Sequence, residues 1–175
     1  MAVLPIIVAP DRRLKVKCSR VEKVDDSVVR LMDDMLETMY LAPGIGLAAP
    51  QVGVTRRIIV VDTANKEEKP NPYRMVNPEL LGVSEETWLH EEGCLSLPEH
   101  YADVERPLRI SVRYLDETGK QCELEAEGLL ATCIQHEMDH LDGLLFVDHI
   151  SALKRNMILR KLSKTKKLQE AAAAE

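Results

Sequence analysis

The segment His136-Glu137-Met138-Asp139-His140 sets two imidazoles and a carboxylate within one and a half helical turns. Residues four apart on a helix share a face, so both rings can reach one metal ion. Glu137 falls beside His136, placed to handle the proton of a water held by that ion. The pattern makes a metal hydrolase the first hypothesis. HExxH is short, however, and a merely polar helical face also produces it. Leu129, Leu130, Cys133, Ile134 and Leu141 make the rest of this helix apolar. Histidines half-buried among them need partners, and a metal ion is one.

The third ligand separates the possible chemistries. Zinc proteases of one type put a histidine after a glycine downstream; Gly143 fits, but Phe146 occupies the ligand position. A second type uses a glutamate on the next helix, and the later glutamates, Glu170 and Glu175, fall in a tail. Upstream, Cys133 is about 10 Å of helix rise from His140, which favours a small buried thiol beside the pocket. Cys122 belongs to a strand alternation, and Cys18 to a surface-like start without polar context. Cys94 lies in Glu91-Glu92-Gly93-Cys94-Leu95-Ser96-Leu97-Pro98, an irregular or edge segment. There Gly93 permits unusual dihedrals and Pro98 limits pairing. Ligand and core cysteine both stand as readings of Cys94. The stretch Gly44-Ile-Gly-Leu-Ala-Ala-Pro-Gln51 lacks the Lys-Ser/Thr of a phosphate loop. It reads either as a tight packed loop or as a place where foreign backbone approaches, with the Gln51 amide directed at an oxyanion.

Several elements must bring these stretches together. Val28, Met32, Met35, Leu36 and Met39 predict a helix from about Asp26 to Tyr40, capped among Asp25, Asp26 and Ser27 and ended by Pro43-Gly44. Arg57–Asp62 predicts a buried strand, 63–72 a loop, and 74–88 further strands. Strict alternation in Leu108–Leu115 and Gln121–Ala126 about Asp116-Glu-Thr-Gly119 predicts a hairpin. The His-Glu-His helix is expected over about Glu127–Leu141, stopped by Asp142-Gly143. A last helix is expected after a Ser151 cap, with Leu153, Met157, Ile158 and Leu162 as its stripe. Strands plus separate helices predict an α+β fold, antiparallel or mixed sheets around the central HExxH helix with a C-terminal helix. Residues 1–150 are expected to form a single catalytic domain, with 151–175 a basic helix and tail of the same domain.

Bulk properties agree. The chain has 175 residues, 45% hydrophobic and 30% charged, which favours a globular domain with a proper core. Its net charge of −6 argues against a dedicated nucleic-acid binder. Residues 151–175 hold seven Lys/Arg against two Glu, +5 of that −6, leaving −11 elsewhere. The default for such a helix is a solvated face. The apolar start is too short to span a bilayer and is broken by Pro5 and Pro10, so no signal peptide and no membrane contact are expected. With four cysteines and no CxxC, the thiols are expected to be reduced and the chain cytoplasmic.

The three motifs, Gly44-Ile-Gly-Leu-Ala-Ala-Pro-Gln51, Glu92-Gly-Cys-Leu-Ser96 and Gln135-His-Glu-Met-Asp-His-Leu-Asp-Gly143, match in order and without a gap those of peptide deformylases. The chain resembles that family from Pro10 to about Ile150. The resemblance implies a bacterial-type metal-dependent hydrolase that removes the formyl group from N-formylmethionyl peptides. It implies Cys94, His136 and His140 as ligands of one divalent ion, usually Fe²⁺, with Zn²⁺, Ni²⁺ or Co²⁺ as substitutes. Glu137 would then be the proton carrier, and the Gln51 side chain and Leu95 N–H would hold the oxyanion. Ile45, Gly46 and Gly93 would meet the extended substrate, and Ile45, Leu129, Thr132 and Cys133 its methionine side chain. Many relatives have an arginine soon after the motif proline; here His100 and Tyr101 stand in that region. Arg106 reads equally as a partner of Glu92 or as a surface charge. By the same likeness the chain is expected to be a monomer, and its basic C-terminal helix a ribosome contact near the exit tunnel.

Overall fold

The computed structural model describes residues 2–174. Its three helices are α1 (Asp26–Leu41), α2 (Leu129–Leu141) and α3 (Ala152–Ala173). The strands are β1 (Gly46–Ala48), β2 (Ile58–Val61), β3 (Tyr73–Val83), β4 (Thr87–Cys94), β5 (Leu97–Pro107), β6 (Arg109–Leu115) and β7 (Gln121–Glu127). Five of them form one sheet in the order β1-β2-β3-β6-β7, and β4-β5 form a separate two-stranded sheet. The architecture is α+β. All pairings of these strands are antiparallel, and the parallel element is a single bridge between Ser19 and Arg56.

The apolar run in β2 has a direct cause: both faces of this strand are covered. Ile58 and Val60 pack against Val28, Met32, Met35 and Met39 of α1. Ile59 and Val61 pack against Ala131, Ile134 and Leu141 of α2. All four strand residues are fully buried, each contributing roughly 1.5–3 kcal/mol of hydrophobic stabilisation. A strand buried on both sides loses the polar alternation of a half-exposed one. The HExxH helix is thereby held against β2 and its neighbour β1, which fixes its orientation.

Local chemistry sets the ends of these elements. Asp25 caps α1 by accepting from the Val28 N–H, and Ser151 caps α3 by accepting from Lys154 N–H. Helix α2 starts two residues later than the pattern predicts. Glu127 closes β7, and Gly128, at φ +64°, makes the strand-to-helix turn. Gly143, at φ +76°, ends α2 where a Cβ would lie 2.6 Å from the Lys15 carbonyl oxygen. In β3, Asn77 (φ 52°) sits at a bulge and bonds both backbone groups of Val21 at 2.8 Å, pinning the N-terminal segment.

Two expectations need correction here. Cys18 is not at the surface; it is buried in the α2-side core. The stripe of α3 is also narrower than expected, because Ile158, Leu159 and Leu162 pack inward while Leu153 and Met157 are exposed. Leu153 precedes Leu162 by two and a half turns, which puts it on the opposite face. Among the described residues no helix is long and apolar enough to cross a membrane.

Candidate metal centre

Cys94 ends β4 at a break in register: Gly93 pairs with Tyr101 and Cys94 with Leu97, so residues 98–100 bulge out of the ladder. The edge character expected for this segment, with Pro98 outside the pairing, is what forms. Gly93 is glycine for another reason than dihedral freedom. A Cβ there would lie 2.7 Å from Cδ1 of the Tyr101 ring, which covers it. The tight turn between β4 and β5 carries the thiol to α2. There one donor atom each from Cys94, His136 and His140 lie within 4.8 Å of one another. Cys133 is not among them; its buried thiol donates to the Ile45 carbonyl at 3.5 Å. Cys122 sits on the hairpin, its thiol 3.5 Å from Asp116.

Cys94 Sγ and His140 Nε2 are 3.4 Å apart. Ordinary metal–sulfur and metal–nitrogen bonds at a tetrahedral angle put the two ligand atoms about 3.6 Å apart. This pair is thus spaced as a shared ion requires. Glu92 Oε1 lies 2.8 Å from His136 Nδ1, which fixes the ring and leaves Nε2 for a ligand. Arg106 grips Glu92 with Nε and Nη2, at 2.6 and 2.9 Å, and gives Nη1 to Asp139 at 2.8 Å. At 5% exposure Arg106 is an internal strut and not a surface charge. Phe146, in the downstream ligand position of other HExxH proteins, is buried and stacks on the His136 ring at 6.2 Å. His140 Nδ1 has no partner among the described residues, so packing and the Nε2 contact with Cys94 hold that ring.

The electrostatics favour a cation. Burial works against a charge on His136, but the Glu137 carboxylate and the bonds to Cys94 and Glu92 outweigh it and hold the ring's pKa well above the usual value. A divalent ion can take the place of that proton. Burial, then the charge of His136, push His140 well below the usual value, so it stays neutral. Burial raises Glu137 to about 7, against the pull of His136. Its Oε1 has no hydrogen-bond partner among the described residues and lies 4.0 Å from His140 Nε2. A buried carboxylate oxygen left open beside the His140 donor fits a divalent ion with a water beside it.

A cavity of about 780 Å³ opens over this cluster. Ile45, Gly46, Gln51, Gly93, Leu95, Leu129, Thr132, Cys133 and Glu137 all line it. His100 and Tyr101 line it as well. Gly46 permits the approach of β1 to the site, since a Cβ would lie 2.9 Å from Glu137 Cδ and 2.8 Å from Cys133 Sγ. Gln51 is buried, and its amide is ordered from both ends. Oε1 accepts from Ala48 N–H at 2.9 Å; Nε2 donates to Ser96 Oγ at 3.0 Å and toward Cys94 Sγ at 3.5 Å. Ser96, fully buried, is a part of the site to which the sequence reading gave no role. Asp139 is another. Its position inside HExxH was the available signal, since an acid half-buried beside Arg106 and His149 has its carboxyl held below the usual range by those partners despite burial.

Comparison with known proteins places the chain in a family. A family model described as polypeptide deformylase matches residues 3–156. The peptide deformylase of Agrobacterium fabrum is 54% identical over 164 residues, covering 94% of this chain and 96% of that protein. That of Phenylobacterium zucineum is 57% identical over 164 residues, covering 94% and 97%. Among solved structures, the peptide deformylase of Ehrlichia chaffeensis superposes with a TM-score of 0.90 at 41% identity, over 96% of this chain and 99% of that one. A second structure of that enzyme, in complex with actinonin, gives a TM-score of 0.90 at 44% identity, over 94% and 98%. With these likenesses spanning nearly the whole chain, the protein belongs to the peptide deformylase family, hydrolases that remove the N-formyl group from nascent polypeptides.

Proposed function

We propose that Cys94, His136 and His140 hold one Fe²⁺ ion and that Glu137 carries the proton of the deformylation. One observation supports this above the others: Glu137 Oε1 is buried without a partner among the described residues, 4.0 Å from His140 Nε2 of the clustered donors. The family resemblance supports iron, and the same donors suit Zn²⁺, Ni²⁺ or Co²⁺. When bound, such an ion supplies a Lewis acid for the formyl oxygen and lowers the pKa of a water beside it. Glu137 Oε1 takes the proton of the attacking water and passes it to the departing amine nitrogen. A carboxyl that burial brings to about 7 is matched to taking and returning a proton. The Gln51 Nε2–H and Leu95 N–H stabilise the oxyanion, and Gln51 is pre-oriented for this by Ala48 and Ser96. Ile45, Gly46 and Gly93 lie along the extended substrate backbone, and Leu129, Thr132 and Cys133 accept its methionine side chain. The cavity that these residues share supports that assignment.

We read the chain as one monomeric, cytoplasmic domain that includes α3, since Leu162 packs into the cluster of Leu14, Leu97 and Phe146. The exposed Lys154, Arg160 and Lys164 of that helix support a contact with ribosomal RNA, lost with rising salt. The test is formate release from formyl-Met-Ala-Ser by anaerobically prepared protein. Glu137→Ala should abolish release while ion content stays at the parent value. Turnover equal to the parent would refute the role given to Glu137.

A further inference from the structure

We propose that His149 is a positioning residue for the metal ligands, acting on His136 from the surface through three charged side chains. The proposal rests on the reading of Cys94, His136 and His140 as the ligands of one ion. His149 closes the 3₁₀ turn Phe146–His149, outside every motif that the family resemblance uses. Its Nε2 is 2.7 Å from Asp139 Oδ2, and the same oxygen accepts from Arg106 Nη1 at 2.8 Å. The other two nitrogens of Arg106 donate to the two oxygens of Glu92, and Glu92 Oε1 meets His136 Nδ1 at 2.8 Å. Side-chain exposure falls along this line, from 36% at His149 and 20% at Asp139 to 5% at Arg106 and 4% at Glu92. A continuous relay therefore runs from solvent to the ring of a ligand.

The physics of the relay is competition for one guanidinium. Arg106 sits between two carboxylates, and a single cation serves both. His149 donates to the outer carboxylate and satisfies part of it, so Arg106 stays on Glu92 and Glu92 stays on His136. Without that donor, Asp139 draws harder on Arg106, and the grip on Glu92 slackens in a buried site where unpaired charge is costly. The orientation of the His136 ring is what loosens. His149 also borders a second cavity, of about 620 Å³, between the β4–β5 hairpin and α3. Truncating it there opens no void in the core.

The experiment loads the full chain with Co²⁺ and follows metal loss to excess chelator, together with the visible absorption of the thiolate-bound ion. Direct partners of a metal-bound histidine govern metal affinity by roughly 10–100-fold, so a residue further out is expected to give about 3–10-fold. His149→Ala should release cobalt about that much faster and shift the visible band, while His149→Gln, which keeps an N–H donor, stays within about two-fold of the parent. In an Asp139→Asn background, which cuts the relay without emptying it, adding His149→Ala should change nothing further. Release from His149→Ala at the parent rate would overturn the proposal. So would an effect of the same size with and without Asp139→Asn, since that is what a merely structural role produces. A parent that takes up no cobalt overturns the ligand assignment and the relay with it.

Discussion

A methyl group on Gly46 is the smallest change that tests how tightly β1 is laid against Glu137. A Cβ at this position lies 2.9 Å from Glu137 Cδ and 2.8 Å from Cys133 Sγ. Relaxed carbon contacts are about 3.5–4.0 Å, so the neighbours must give by about 0.6–1.1 Å. Neither can swing to solvent, because Cys133 and Glu137 are 5% and 4% exposed. Glu137 must then move toward the ligands or tilt away from the attacking water. Misplacement of a reacting group by about 1 Å costs roughly 100-fold in rate, equivalent to about 2.7 kcal/mol in the barrier. The accompanying overpacking costs about 1–3 kcal/mol of stability, at roughly 2–4 °C in Tm for each kcal/mol. Gly46→Ala should therefore remain folded and keep its metal while kcat for formate release falls by about two orders of magnitude. The assay is initial-rate formate release at matched ion content, with a thermal melt of the same samples. A variant with parental kcat and parental Tm would show that β1 is not in contact with Glu137.

Two more expectations concern single hydroxyls. Thr132 Oγ1 is buried without a hydrogen-bond partner among the described residues; Thr132→Val keeps its shape and removes the unsatisfied group. Stability should rise by about 1 kcal/mol in urea unfolding, and a fall would mean that the hydroxyl has a partner. Tyr40 donates to Asp62 at 2.5 Å, and burial, followed by that bond, raises its pKa to about 12. The folded pKa lies above the ordinary value of 10, so this contribution is complete below pH 10 and lost as pH rises through 12. Tyr40→Phe should abolish that part of the alkaline loss of stability, and an unchanged pH dependence of the urea midpoint would contradict it.

Much of this was legible in the residues, and the misses have physical causes. The stripe of α1, the buried run of β2 and the β6–β7 alternation are local periodicities, and each formed close to its expected bounds. His136 and His140 are legible for the same reason, since helix geometry alone puts them on one face. Cys94 is different: its approach to α2 depends on the β4–β5 turn, which no local pattern specifies, so the motif match carried that step. Gly93 reads as permissive backbone, whereas it is glycine because the Tyr101 ring lies over it. Ser96, Asp139 and His149 stayed silent because their roles consist of partners brought in by tertiary packing.

Metal-edge X-ray absorption of the zinc-loaded protein tests the central claim most directly, because it reads the ligand atoms themselves. The account predicts one sulfur at about 2.3 Å and two imidazole nitrogens at about 2.0–2.1 Å, with the sulfur shell lost in Cys94→Ser. A spectrum without sulfur, or one unchanged in Cys94→Ser, would contradict it.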